Sequence, residues 1–567
     1  MVALATYERS NFTHETCMPE QLTVVMAQLN LLVGDIQGNT DLLLEQARRA
    51  RDEHAADIIA FPELAITGYP PEDLLLRPSM EIRTRRALQR ILDANLDLYV
   101  IVGHPLHQDG RLYNALSIIK GRQVLAQYRK QCLPNYQVFD ERRYFTPGAG
   151  PCVLNIKGVC VGFTICEDMW EEAPTQQVAA AGAQLLININ ASPFHRDKQH
   201  EREALLAERA RSAGMPIIYV NLVGGQDELV FDGSSMAVAA TGEVQVRAPS
   251  FAPGLFPVHL QRSANSLVID TNAQSLARTD TTEEALYKAL VLGVRDYVGK
   301  NRFKGVVLGL SGGIDSALTL AVAVDALGSD KVLAVMMPFA YTSQLSLYEA
   351  SAQAARLGVQ YRVLPIEASY RSFVDTLSEE FTALPVDVTE QNIQARCRGV
   401  LLMAISNKKG LLVLTTGNKS EVAVGYCTLY GDMAGGFDVL KDVPKTMVYR
   451  LCDWRNQQRD ALGSPVIPPA VIARAPSAEL APGQVDQDSL PPYDELDAIL
   501  ELYVEQDCSA AEIIARGFAE PVVRRVLRLV DINEYKRRQS AIGVRLTRRG
   551  FGRDRRYPIT SGWELGD

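Results

Sequence analysis

Three reactive side chains stand at the C-terminal ends of three predicted strands in the first half of the chain. Glu63 follows IIAFP, Lys130 follows VLAQYR and Cys166 follows VGFTI. A cysteine attacks carbon as the thiolate, so it needs a partner that takes its proton. No histidine adjoins any of the three runs. A carboxylate with a raised pKa can act as that base, and an ammonium can stabilise the oxyanion that forms after attack. The set therefore points to Glu–Lys–Cys acyl transfer. Taken singly, a cysteine that ends an apolar run is more often core filling, so its neighbours must carry the assignment.

The second half offers a different chemistry in GLSGGIDSAL: Gly309, Leu310, Ser311, Gly312, Gly313, Ile314, Asp315 and Ser316 join an apolar run to an apolar-periodic helix. Such a turn aims free amides and the positive helix end at one point, which suits a phosphate. It is neither Walker A nor G-x-G-x-x-G. Asp315 would repel a phosphate unless a cation such as Mg2+ lay between them. The alternative is a tight turn capped by Asp or Ser.

The elements that must position these groups follow from periodicity. Strands are expected at 21–28, 56–61, 98–103, 116–120, 124–128, 158–166, 185–190, 216–224 and 235–240, with helices near 38–54, 78–94, 172–181 and 197–213. This predicts two packed sheets with helices outside, in an α/β domain spanning 21–250. Residues 251–282 are turn-rich and read as a linker. From 283 to 567, helices alternate with buried apolar strands at 303–310, 331–339, 361–366 and 411–416, which implies a doubly wound parallel sheet. Prolines at 465, 468, 469, 476, 482, 491 and 492 exclude a regular helix from 463–493.

The SGGIDS loop resembles that of the ATP pyrophosphatase superfamily, whose members cleave ATP between the α and β phosphates and pass an adenylated oxygen to a nucleophile. Thr415–Glu421 (TTGNKSE), Cys427–Asp432, Gly435–Asp438 and Lys441–Lys445 resemble the motifs of NAD synthetases. Carried over residue by residue, Asp315 and Glu421 are implied as Mg2+ carboxylates. The 309–316 loop, Thr416, Lys445 and Ser477 are implied as ATP contacts. Asn392, Arg396, Glu421, Asp438 and Lys536 are implied as contacts to deamido-NAD. On periodicity alone, Asn392, Arg396 and Gly399 share a face opposite Ile393, Cys397, Val400, Leu401 and Ala404, and a solvated face is the competing reading.

In the first half, Cys166–Trp170, Phe61–Leu64 and Tyr128–Lys130 resemble the nucleophile, base and lysine segments of nitrilases. Gln131-Cys132-Leu133 stands where many nitrilases carry x-His-Leu. The run Leu133–Glu141 is similar to the glutaminase domain of NAD synthetases, which implies Tyr136, Ser192 and Lys198 as glutamine contacts and Glu141 as an orienting group. The combined resemblance is to glutamine-dependent NAD synthetases, from about residue 21 to 560. It implies a nitrilase-like α-β-β-α sandwich followed by an adenine nucleotide alpha hydrolase-like parallel sheet. It also implies glutamine, ATP and deamido-NAD as substrates, Mg2+ with ATP, no permanently bound cofactor, and a homo-oligomer. Two other readings stay open: an amidotransferase for another adenylated acceptor, and a binding protein with a decayed synthetase half.

Composition bounds the partners. With 58 basic and 67 acidic residues the net charge is -9, which disfavours nucleic acid and anionic membranes. No apolar run approaches a membrane span, and the opening residues lack a signal-peptide core. The nine cysteines are scattered without a C-x-x-C pair, so a cytoplasmic protein with neither disulfide framework nor zinc site is expected.

Overall fold

The computed structural model describes residues 21–263, 266–271, 276–458 and 465–563. In the first half the chain forms β1 (Gln21–Gln28), β2 (Ile58–Ala60), β3 (Leu96–Gln108), β4 (Arg111–Gly121) and β5 (Gln123–Arg129). Next come β6 (Cys152–Ile156), β7 (Val159–Ile165), β8 (Leu185–Asn190), β9 (Ile217–Asn221), β10 (Val223–Gln226) and β11 (Leu229–Asp232). The series ends with β12 (Met236–Val238), β13 (Val244–Arg247), β14 (Gly254–Ser263) and β15 (Ser266–Ile269).

Among the described residues these strands build a seven-stranded sheet, β15-β14-β1-β2-β3-β4-β5, and a six-stranded sheet, β13-β12-β9-β8-β7-β6. Val24, Met26, Ile101 and Ile118 of the first sheet meet Val161, Phe163, Ile187 and Val220 of the second in one buried layer. Helices Ile36–His54 and Pro78–Asp93 cover the outer face of the first sheet; Glu172–Ala180 and Lys198–Ala213 cover that of the second. The layers are thus α-β-β-α, as the strand and helix pattern predicted.

Residues 251–282 are not a bare linker. They contain β14 and β15, and β14 pairs antiparallel with β1 from Gln21↔Gln261 to Gln28↔Gly254. The partner strand lies far upstream, so its hydrophobic pattern is set by a sheet that local periodicity cannot reveal. The helix Thr282–Lys300 then starts at a Thr281 cap, whose side chain accepts from the Glu284 amide.

The second half forms β16 (Val306–Gly309), β17 (Val332–Met336), β18 (Gln360–Val363), β19 (Leu412–Thr415) and β20 (Phe437–Asp438). They pair in parallel in the order β18-β17-β16-β19-β20. The order reverses between β16 and β19, so the loops leaving these strands part and open a crevice, the usual ligand site of such sheets. A small helical core, with Leu496, Ile513 and Val526, packs behind the helix Lys419–Val424.

One helical face differs from expectation. In Val388–Lys409 the buried side is Ile393, Gln394, Ala395, Cys397, Gly399 and Leu402, while Val400 is exposed. Gly399 belongs to the buried side because a Cβ there would sit 2.9 Å from the Gly431 carbonyl oxygen. The close approach of a loop, not apolarity, decides that face.

Two candidate active sites

Glu63, Lys130 and Cys166 stand just past the ends of β2, β5 and β7, all buried. Lys130 Nζ donates to Glu63 Oε1 at 2.7 Å and to Glu141 Oε1 at 2.9 Å. Asn114 Nδ2 also donates to Glu63 Oε1, at 2.7 Å, and the Ala191 amide donates to Glu63 Oε2 at 3.0 Å. Tyr69 OH donates to Glu141 Oε1 at 3.0 Å. Burial works against the Lys130 ammonium, yet Glu141 and Glu63 outweigh it and raise its pKa. Burial, with the Coulombic field of Lys130 opposing it, lifts the Glu141 carboxyl to about 7. Burial and then Glu63 push the Cys166 thiol well up, so it rests protonated beside a carboxylate that can remove the proton.

Cys166 adopts φ 44, a left-handed conformation, on the turn between β7 and the helix Glu172–Ala180. A side chain held in that strained conformation needs surroundings that over-determine it. Asp168 supplies them. Its Oδ1 accepts from the amides of Gln131 at 3.0 Å and Cys132 at 2.8 Å, and its Oδ2 accepts from Tyr128 OH at 2.8 Å and the Ile165 amide at 3.1 Å. One buried carboxylate therefore ties the lysine segment to the cysteine turn.

The residues expected to bind glutamine surround this centre. Tyr136 OH donates to Glu167 Oε1 at 2.9 Å. Lys198 Nζ lies 3.8 Å from the Trp170 ring centroid, and burial lowers its pKa to about 8. Ser192 is fixed by a hydrogen bond from its amide to Asn221 Oδ1 at 2.9 Å. Sequence reading missed Glu167 and Asp168, although both stand in the quoted Cys166–Trp170 segment. Glu167 and Lys198 together offer opposite charges to a zwitterionic amino acid.

In the second half the β16–helix turn holds its shape through short bonds: Ser316 Oγ donates to the Gly313 carbonyl at 2.9 Å and accepts from the Ser311 amide at 3.2 Å. Gly312 has φ +81, and a Cβ there would lie 2.5 Å from the Ser346 carbonyl oxygen. Lys445 Nζ donates to Asp315 Oδ2 at 2.6 Å and to Glu421 Oε1 at 3.1 Å, while Asn418 Nδ2 donates to Asp315 Oδ1 at 2.9 Å. Burial raises Glu421 to about 8, with Lys445 opposing. Two carboxylates thus converge on one cation.

These groups line a cavity of about 280 Å³ to which Gly309, Ser311, Thr416, Asp438 and Ser477 also contribute. The Pro-rich segment contributes to that wall through Ser477, and among its described residues it forms the short helix Pro469–Ala473, where no helix was expected, and the turn Asp486–Asp488. Ser477 Oγ donates to the Gln484 carbonyl and accepts from the Glu479 amide at 3.1 Å. Asp438, raised to about 7 by burial, has its Oδ1 without a hydrogen-bond partner. Asn392, Arg396 and Lys536 gather instead on the neighbouring 425–429 loop. Asn392 Oδ1 accepts from Thr428 Oγ1 at 2.9 Å, Arg396 Nε donates to the Leu429 carbonyl at 3.2 Å, and Lys536 Nζ donates to the Gly425 carbonyl at 2.8 Å.

A hard divalent cation takes oxygen donors and often borrows several from substrate phosphates and water. Among the described residues no cluster of three or more His, Cys, Asp or Glu side chains comes together to hold a metal. Asp315 and Glu421 fit a cation held jointly by two carboxylates and a bound nucleotide.

Comparison with known proteins assigns a family to each half of the chain. Residues 23–289 match the family Carbon-nitrogen hydrolase, and residues 286–540 match NAD synthase. The chain is 50% identical over 548 residues to the glutamine-dependent NAD(+) synthetase of Xanthomonas campestris, covering 96% of this chain and 98% of that one. It is 49% identical to the corresponding enzyme of Acinetobacter baylyi, covering 96% and 99%. The solved glutamine-dependent NAD+ synthetase of Acinetobacter baumannii in complex with adenosine diphosphate superposes with TM-score 0.78 at 46% identity, covering 96% of this chain and 100% of that one.

Proposed function

The chain belongs to the glutamine-dependent NAD(+) synthetases, and from that premise we propose which of its side chains carry each half of the reaction. It is a ligase that releases ammonia from glutamine in one domain and uses ATP in the other to convert deamido-NAD to NAD. In the glutaminase half, Cys166 Sγ attacks the carboxamide carbon while Glu63 takes the thiol proton. Lys130 Nζ donates to the tetrahedral oxyanion. Glu63 returns the proton to the departing ammonia, then activates the water that hydrolyses the thioester to glutamate. Tyr136, Ser192 and Lys198 hold the substrate, with Lys198 opposite its carboxylate and Glu167 opposite its ammonium.

In the synthetase half, the 309–316 amides, Thr416 and Ser477 cradle ATP. Asp315 and Glu421 would hold Mg2+, which neutralises the phosphates and polarises the bond that breaks. Lys445, the resting countercharge of those carboxylates, turns to the phosphates once they are bound. The nicotinate carboxylate of deamido-NAD attacks the α-phosphorus and pyrophosphate leaves. Ammonia then attacks the adenylated carbonyl and AMP leaves. Asn392, Arg396, Asp438 and Lys536 hold deamido-NAD, a reading supported by the unpaired Asp438 Oδ1. The same reading assigns a cytoplasmic homo-oligomer; the exposed Val386, Val388 and Val400 at and along the helix Val388–Lys409 support self-association.

One observation carries this division: two separately assembled polar centres, Glu63–Lys130–Cys166 and Asp315–Glu421–Lys445, lie in different domains of one chain. The test is NAD formation from deamido-NAD and MgATP with glutamine or ammonium chloride, in wild type and Cys166→Ala. The variant is expected to lose the glutamine-driven reaction and keep the ammonium-driven one. Loss of both would break the assignment of Cys166 to ammonia supply alone.

A further inference from the structure

Arg196 lies between Ser192 and Lys198, in the loop that leads into the helix Lys198–Ala213. The Ser192 end of this loop is fixed inside the first domain, through Asn221 and through Arg202, whose guanidinium donates to the Ser192 carbonyl at 2.7 Å. The Arg196 end is held by the second domain. Its amide donates to the Leu546 carbonyl at 2.9 Å, and its guanidinium lies 2.8 Å from Glu501 and 3.5 Å from Glu505, with Asp197 of its own loop at 3.5 Å.

Glu505 accepts from Lys419 Nζ at 2.8 Å, and Lys419 also pairs with Asp442 at 3.0 Å. Lys419 belongs to the TTGNKSE segment, between Asn418, which holds Asp315, and Glu421. Lys419, Asp442 and Glu505 have side chains only 3–4% exposed. On its own, that buried trio carries one positive and two negative charges, and burying an uncompensated charge is costly. Arg196 brings a second positive charge to it from across the domain boundary, 3.5 Å from Glu505, while its shorter contact, 2.8 Å, is to Glu501. Its guanidinium is therefore held by two carboxylates of the second domain, one of which, Glu505, belongs to the cluster built on the ATP-site helix.

We propose that Arg196 is a positioning residue for glutamine: through Glu505 and Lys419 the synthetase domain fixes the loop that presents Lys198, so glutamine binding depends on charges outside the glutaminase domain. The inference rests on Lys198 being a glutamine contact.

The test uses the full chain with Arg196→Ala, Arg196→Lys, Glu505→Gln and Lys198→Met, measuring KM and kcat with glutamine and the ammonium-driven rate. Arg196→Ala and Glu505→Gln are expected to raise the glutamine KM about 3- to 30-fold while ammonium-driven NAD formation stays at the wild-type level. Arg196→Lys restores part of the loss, and Arg196→Ala adds little to Lys198→Met. Wild-type glutamine KM in Arg196→Ala and Glu505→Gln, with a raised KM in Lys198→Met, overturns the relay alone. An unchanged KM in Lys198→Met overturns the pocket assignment and the relay with it. A parallel fall in the ammonium-driven rate also overturns the proposal, since it assigns these charges a merely structural role.

Discussion

At the scale of single residues, burial decides which groups change charge in the working pH range. Burial first, and Arg202 next, lower Lys198 to about 8. A cation that holds the glutamine carboxylate binds only while protonated. The glutamine KM is therefore expected to be flat below about pH 8 and to rise above it. Initial rates across pH 6.5–9.5, compared with Lys198→Arg, check this; an unmoved rise in the arginine variant would assign the titration elsewhere. A second buried group reports on stability. His104 is held at Nε2 by Ser117 Oγ, 2.7 Å away, and its Nδ1 lies 3.0 Å from the Pro105 carbonyl. Burial lowers its pKa to about 4, so between 6.5 and 4 the unfolded chain binds a proton that the folded chain refuses. Its full contribution is present above pH 6.5 and is lost as pH falls towards 4, about 2 kcal/mol of it by pH 5. Denaturant midpoints between pH 7 and 5 should fall less steeply in His104→Gln than in wild type.

Elements place the catalytic atoms through contacts that leave no room for side chains. Gly103, within β3, backs directly onto the Glu63 turn: a Cβ there would lie 2.6 Å from the Leu64 amide nitrogen and 2.7 Å from the Pro62 carbonyl oxygen. Gly103→Ala must therefore displace Glu63, the proposed base. A shift of about 1 Å costs roughly 100-fold, so glutamine-driven turnover should drop by that order while ammonium-driven synthesis persists. Equal glutamine-driven rates in the variant and wild type would refute the placement of Glu63 as base. The strand ends themselves were legible in sequence, because IIAFP and VGFTI are apolar runs closed by a reactive residue and VLAQYR is a strand-like run closed by Lys130. So was the turn at 309–316, where strand, glycines and helix are contiguous. What escaped was non-local. The Asp168 clamp joins residues about forty positions apart, β14 finds its partner at the other end of the domain, and the buried face of Val388–Lys409 is chosen by a loop carbonyl. No local period encodes any of these.

Across the whole molecule, a division into residues 21–250 and 283–567 suits the chemistry but not the packing. One buried cluster contains Phe194, Val223 and Val230 from the first half together with Leu286, Leu290 and Val544 from the second. Polar bonds seal the same junction: Asp296 Oδ2 accepts from Asn30 Nδ2 and from the Gly225 amide, each at 2.7 Å, and Lys300 Nζ donates to the Leu31 carbonyl at 2.9 Å. Domains joined by small polar contacts move and melt independently, whereas a large apolar junction removes that freedom. Exposing Val223 and Val230 by unfolding the second half alone would leave the first half with part of its own core in water. Losing the first half would likewise strip the helix Thr282–Lys300, whose buried side includes Leu286 and Leu290. The halves should therefore unfold as one unit. Calorimetry is expected to give a single transition, and glutamine-driven and ammonium-driven activities should disappear over the same temperature interval. Two resolved transitions, with ammonium-driven synthesis outlasting glutamine hydrolysis, would show that the shared core does not couple the domains.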